Sequence, residues 1–126
     1  MMSRSKIRQL EYESNTWKRQ IALMVDENIY MKARLVEILR EQERRSSLEA
    51  AEGFQNEFIE QDSVISVLKN GIAEFDRLLK RERFEDGMLV NAVFVKHKHL
   101  EDDLSVAKKK FEELKIRFNK HILDEH

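Results

Sequence analysis

The apolar residues of the chain recur on a heptad. With a at Ile7 and d at Leu10, the series continues through Ser14, Trp17, Ile21, Met24, Asn28, Met31, Leu35 and Ile38, and eight of these ten positions are apolar. Strands alternate every second residue, so this spacing predicts a helix, over about residues 5–45. A second seam runs Ala51, Phe54, Phe58, Gln61, Ile65, Leu68, Ile72, Phe75 and Leu79. Its a positions are shifted by two from the first series. A continuous seam absorbs insertions equivalent to three or four residues, so a shift of two predicts a break near Arg44–Ser47. Ser46-Ser47-Leu48-Glu49 reads as a capping box there.

A third series is Val90, Val93, His97, Leu100, Leu104, Ala107, Phe111, Leu114, Phe118 and His121. Before it the seam turns polar, through Lys80-Arg81-Glu82-Arg83-Phe84-Glu85-Asp86-Gly87. Gly87 suits the left-handed conformation that ends helices. The register difference here equals four residues, so a stutter in one continuous helix competes with a turn. Gly87 and the polar run coincide, which favours the turn. The expectation is an all-α protein: one domain over 1–126, with three long antiparallel helices (about 5–45, 47–86 and 88–123) in an up-down-up, spectrin-like bundle with coiled-coil heptads.

Composition agrees. Leu, Ile, Val and Phe form about 29% of the 126 residues, above the ~20% below which disorder is expected. There is no Pro and no Cys, and Gly occurs three times. This disfavours β architectures and excludes disulfides, thiolate metal sites and cysteine nucleophiles. No apolar run suits a secretory signal or a membrane span, so the expected compartment is the cytoplasm.

The formal charge is −1, too balanced to attract nucleic acid or an anionic membrane by net field. Five acids and no base lie between Ser46 and Asp62: Glu49, Glu52, Glu57, Glu60 and Asp62. In an antiparallel hairpin they lie beside Lys32, Arg34, Arg40, Arg44 and Arg45.

Candidate chemistry is sparse. Asn28 at an a position suits the buried asparagine that fixes register in a parallel two-stranded coiled coil. The competing reading places it inside a monomeric bundle against a polar neighbour or water. Charges across a parallel dimer of helix one are compatible: Lys6–Glu11, Glu13–Lys18 and Glu27–Lys32 are opposite in sign, while Gln20–Val25 and Arg34–Leu39 are neutral in effect. Val25 and Leu39 at e widen the apolar face and favour the bundle. Leu23, Ile29, Tyr30 and Val36 fall at b or c, outside the seam. A partner surface would therefore draw on Trp17, Met24, Asn28, Ile29, Tyr30, Met31, Leu35 and Val36.

A rival site is the basic end formed by Arg4, Lys6, Arg8, Lys80, Arg81 and Arg83, which could grip phosphates. Acidic residues are interleaved with it and no recognition-helix motif accompanies it. His97 and His99 are two apart and His121 and His126 five apart, so neither pair shares a helical face as metal ligands do. No Gly-rich phosphate loop or serine elbow occurs, and no cofactor, metal or catalytic residue is expected.

Trp17-Lys18-Arg19, Glu27-Asn28, Lys32-x-Arg34-Leu35-x-Glu37 and Glu52-x-Phe54-Gln55-Asn56-x-Phe58 resemble short uncharacterised bacterial coiled-coil and helical-bundle proteins. The resemblance covers roughly the first half of the chain and consists of helix-seam residues. It implies a small soluble helical protein and brings no activity with it. The function expected from the sequence is a non-catalytic structural or protein-interaction module, with self-association through helix one as one form of it. The alternative is a nucleic-acid-associated bundle using the basic end.

Overall fold

The computed structural model describes the backbone of residues 2–41, 45–85 and 87–125, and the side chains of all these except 45–47, 83–85 and 125. Three helices follow in order: α1 (Arg4–Glu41), α2 (Arg45–Glu85) and α3 (Val90–Glu125). No strand occurs among the described residues. The β-branched run at Val90–Val95 is helical, because its Val90 and Val93 continue the α3 seam.

Burial follows the heptads. The buried residues of α1 are Leu10, Ser14, Trp17, Ile21, Met24, Asn28, Met31, Leu35 and Ile38, all of them seam positions. The same holds along α2 from Ala51 to Glu82 and along α3 from Val93 to Phe118. Edge-to-face rings pack at two levels of this core. Trp17 meets Phe75 at 5.4 Å between centroids, and Phe118 meets Phe54 and Phe58 at 5.3 and 5.0 Å.

Topology follows from the pairings. Ser14 reaches Asp76 while Asn28 reaches Asp62, so partner numbers fall along α2 as they rise along α1. Lys96 reaches Glu74 while Arg117 reaches Glu57, so α3 is antiparallel to α2. Glu13 faces His97 and Glu27 faces Lys115, so α3 runs parallel to α1. The bundle is up-down-up, with close packing of α1 on α2 and of α2 on α3. Gly71 permits the second contact: a Cβ there would lie 2.8 Å from Leu100 Cδ2.

The helix ends differ in detail from the heptad forecast. Ser3 caps α1, accepting from the Lys6 amide through Oγ at 3.1 Å. α1 is described to Glu41 and α2 already runs at Arg45, so residues 45–47, expected in the break, belong to α2; residues 42–44 lie outside the described residues. The capping box on Ser46 and Ser47 lies outside the described side chains. The turn at Gly87 is present, with φ of 94°, and it settles the choice against one continuous helix. α3 begins at Val90 because residues 87–89 form the turn. Glu82 holds it: buried at the end of the α2 seam, it accepts from the Leu89 amide at 2.9 Å.

Candidate functional site

The a position of α1 carries two polar residues, and each sits in the same arrangement. Ser14 Oγ donates to Asp76 Oδ1 at 2.5 Å, and Lys18, one turn on, pairs with Asp76 Oδ2 at 2.6 Å. Two heptads later Asn28 Nδ2 donates to Asp62 Oδ1 at 2.8 Å, and Lys32 pairs with Asp62 Oδ2 at 2.6 Å. Asn28 Nδ2 also reaches the Phe58 carbonyl at 3.1 Å.

These pairings decide the geometry of α1. Its e residues Lys18 and Lys32 turn to α2, and its g residues Glu13 and Glu27 turn to His97 and Lys115 of α3. Four of the charges that could have zipped two copies of helix one in parallel, Glu13, Lys18, Glu27 and Lys32, are therefore committed within one chain. Five expected interaction residues, Trp17, Met24, Asn28, Met31 and Leu35, are buried in the bundle core. They are corrected from surface to core, because α2 and α3 together occupy the whole a/d seam. Asn28 is an internal polar residue.

The other three, Ile29, Tyr30 and Val36, remain outside at 56%, 69% and 46% exposure, together with Leu23. Ala33 is exposed between them. The spacing Ile29, Ala33, Val36 repeats helical periodicity on the face opposite the seam, so α1 carries a second apolar stripe. Asp26 and Arg40, both exposed, stand one heptad before and one after Ala33.

Among the described residues, the expected charge match between α1 and the acidic start of α2 is seen at Asp62–Lys32. Glu57 turns instead to Arg117 of α3, in a two-pronged pair at 2.7 and 3.0 Å, and Arg34 binds Glu37 on its own helix. The Glu57 hydrogen bonds hold the Arg117 pKa above its usual range. Arg44 and the Arg45 side chain lie outside the described residues.

Of the expected basic end, Arg4, Lys6 and Arg8 are exposed in the first turns of α1, and Lys80 and Arg81 are exposed near the end of α2, where Lys80 borders the same groove as Glu11 and Asn15. Lys6 lies over the Phe94 ring at 5.3 Å. The Arg83 side chain lies outside the described residues. Lys96 is drawn to Glu74, whose pKa the Lys96 hydrogen bond and charge lower.

One cluster escaped the sequence reading, which compared histidines only with one another. Glu13, His97 and Glu101 each present a ligand atom, and these atoms lie within 4.8 Å of one another. His97 and Glu101 are one turn apart on α3, and Glu13 comes from α1. The signal available in the sequence was the His-x-x-x-Glu spacing. The α1–α3 register supplied the rest.

No family model matches the chain, and neither a curated protein nor a solved structure matches it. No described helix is long and apolar enough to cross a membrane.

Proposed function

We propose that the chain is a non-catalytic, cytoplasmic interaction module that pairs with a second copy of itself through the outer stripe of α1. The observation that carries this reading is the layout of that stripe. Leu23, Ile29, Tyr30, Ala33 and Val36 form an apolar face that is left exposed among the described residues. Asp26 and Arg40 flank Ala33 symmetrically, one heptad to either side. A two-fold axis through Ala33 lays α1 antiparallel on its copy and sets each Asp26 against the partner's Arg40. Such an interface is self-complementary, as two-fold contacts must be. Its apolar area is modest, which suits a weak, reversible dimer.

Light scattering after size exclusion, across a concentration series, tests this. The mass rises from the chain's 15.1 kDa toward twice that value. Asp26→Arg opposes two arginines across the interface and suppresses the rise. Adding Arg40→Asp restores it. A chain that stays at monomer mass up to about 1 mM, the weak limit of specific association, overturns the reading, as does a double variant no better than the single.

The rival reading uses the exposed bases Arg4, Lys6 and Arg8 at the start of α1 and Lys80 and Arg81 near the end of α2. Oligonucleotide binding that falls steeply with salt supports it. A chain that binds none at about 50 mM salt removes it.

A further inference from the structure

We propose that Glu13, His97 and Glu101 form a binding site for one divalent transition-metal ion, a clasp between α1 and α3. Three observations carry this, none of which depends on the self-pairing proposed above. First, the donors already stand at coordination spacing. His97 Nε2 is 3.1 Å from Glu13 Oε1, and two ligands about 2.1 Å from a tetrahedral zinc are separated by about 3.4 Å. Glu101 completes the set within 4.8 Å. Its side chain is exposed, so a rotamer change carries its carboxylate the remaining distance.

Second, the imidazole is held. His97 occupies a seam position, and its ring packs at 5.3 Å on Trp17 and 6.0 Å on Phe75. This fixes the ring plane and leaves Nε2 facing Glu13. A neutral imidazole protonated at Nδ1 offers Nε2 as the ligand, and the ion takes the place of the proton between Nε2 and Glu13.

Third, there is room for the rest of a coordination shell. A cleft of about 410 Å³ between α1 and α3 is bordered by Glu13 and Glu101, by Lys108, whose charge the two carboxylates offset, and by the polar residues Tyr12, Thr16, Gln20 and Ser105. These can anchor metal-bound water. α1 and α3 form the pair of helices without close backbone packing, so a cross-link there constrains the bundle where it is loosest. One imidazole and two carboxylates, with no sulfur, suit zinc, cobalt(II) or nickel(II), and not a soft ion.

The test uses the full chain without a tag, stripped with chelator and titrated with zinc chloride by calorimetry. Cobalt(II) is followed in parallel by fluorescence, since Trp17 is the one tryptophan and packs on the ligand ring. The expected result is one zinc per chain with Kd below about 100 µM, and cobalt quenching of Trp17. At a hundredfold excess over Kd, zinc raises Tm by about 8–10 °C. Glu101→Gln, a surface change that leaves the core intact, weakens zinc by at least about tenfold, and Glu13→Gln does the same. Asp103→Asn, an exposed acid on the same helix, leaves affinity unchanged.

Absence of saturable zinc binding overturns the proposal. So does wild-type affinity in both Glu101→Gln and Glu13→Gln, or a site abolished by His121→Gln instead.

Discussion

Asn28 donates to Asp62 across the α1–α2 interface while its own carbonyl oxygen, buried in the core, has no hydrogen-bond partner among the described residues. The residue thus satisfies half of its polar capacity at a fully buried position. Asp62 does not depend on it, because Lys32 holds the other carboxylate oxygen.

Asn28→Leu is therefore expected to stabilise the chain by about 1 kcal/mol. It removes an orphaned buried acceptor and adds apolar volume at an a position. Asn28→Asp is expected to destabilise by more than about 2 kcal/mol, since it buries a carboxylate against Asp62. Urea midpoints at pH 7 check both. A stabilised Asn28→Leu that still gives the wild-type mass series would also place the residue's role inside the bundle.

The seam was legible because heptad spacing is a property of one helix at a time. Ser14, Asn28, Gln61 and His97 broke the apolar pattern without disturbing its period, and all proved to be seam residues. What a single helix cannot announce is which flank meets which neighbour. The turn of Lys18 and Lys32 toward α2, and of Glu13 and Glu27 toward α3, depends on how three helices are arranged around one axis. That arrangement moved Trp17, Met24, Met31 and Leu35 from candidate surface to core. It also assembled the Glu13–His97–Glu101 cluster from segments far apart in the chain. Glu82 shows a related limit: in sequence it belongs to a polar run, yet its acceptance from the Leu89 amide lets it be buried.

Two glycines on α2 offer a matched comparison. A Cβ at Gly53 meets nothing within 4 Å, whereas one at Gly71 meets Leu100. Gly53→Ala is expected to raise stability by about 0.5–1 kcal/mol through helix propensity. Gly71→Ala makes the same chemical change but must displace a buried leucine, and should fall short of Gly53→Ala by at least about 1 kcal/mol. Thermal unfolding of the two variants side by side measures the difference.

The α2–α3 turn rests on a conformation and a cap. Gly87 has φ of 94°, so Gly87→Ala should cost about 1 kcal/mol. Glu82→Ala leaves the Leu89 amide unpaired and opens a void at the end of the seam, at a cost of about 2 kcal/mol. Exchange of the Leu89 amide proton, followed by NMR, should quicken in both variants.

Lys115 gives the bundle a response to alkali. Its hydrogen bond to Glu27 outweighs burial and raises its pKa. The folded state thus holds this proton more tightly than the unfolded chain does. The resulting stability is fully present below the ordinary lysine range, near pH 10.4, and is lost as pH rises through the raised value. Lys115→Met should lower stability at pH 7 by about 0.5–1 kcal/mol and flatten the decline between the neutral range and pH 11. An unchanged alkaline limb in Lys115→Met would show that the Glu27 pair is not its source.

An odd number of helices carries the chain from one end of a rod to the other. α1 has 38 residues, about 57 Å of helix, and α3 runs parallel to it. A segment joined before α1 and another joined after α3 would be held apart by nearly that length, with three helices sharing any pull between them. A hairpin of two such helices would return the chain to its starting point. The third makes the fold a strut.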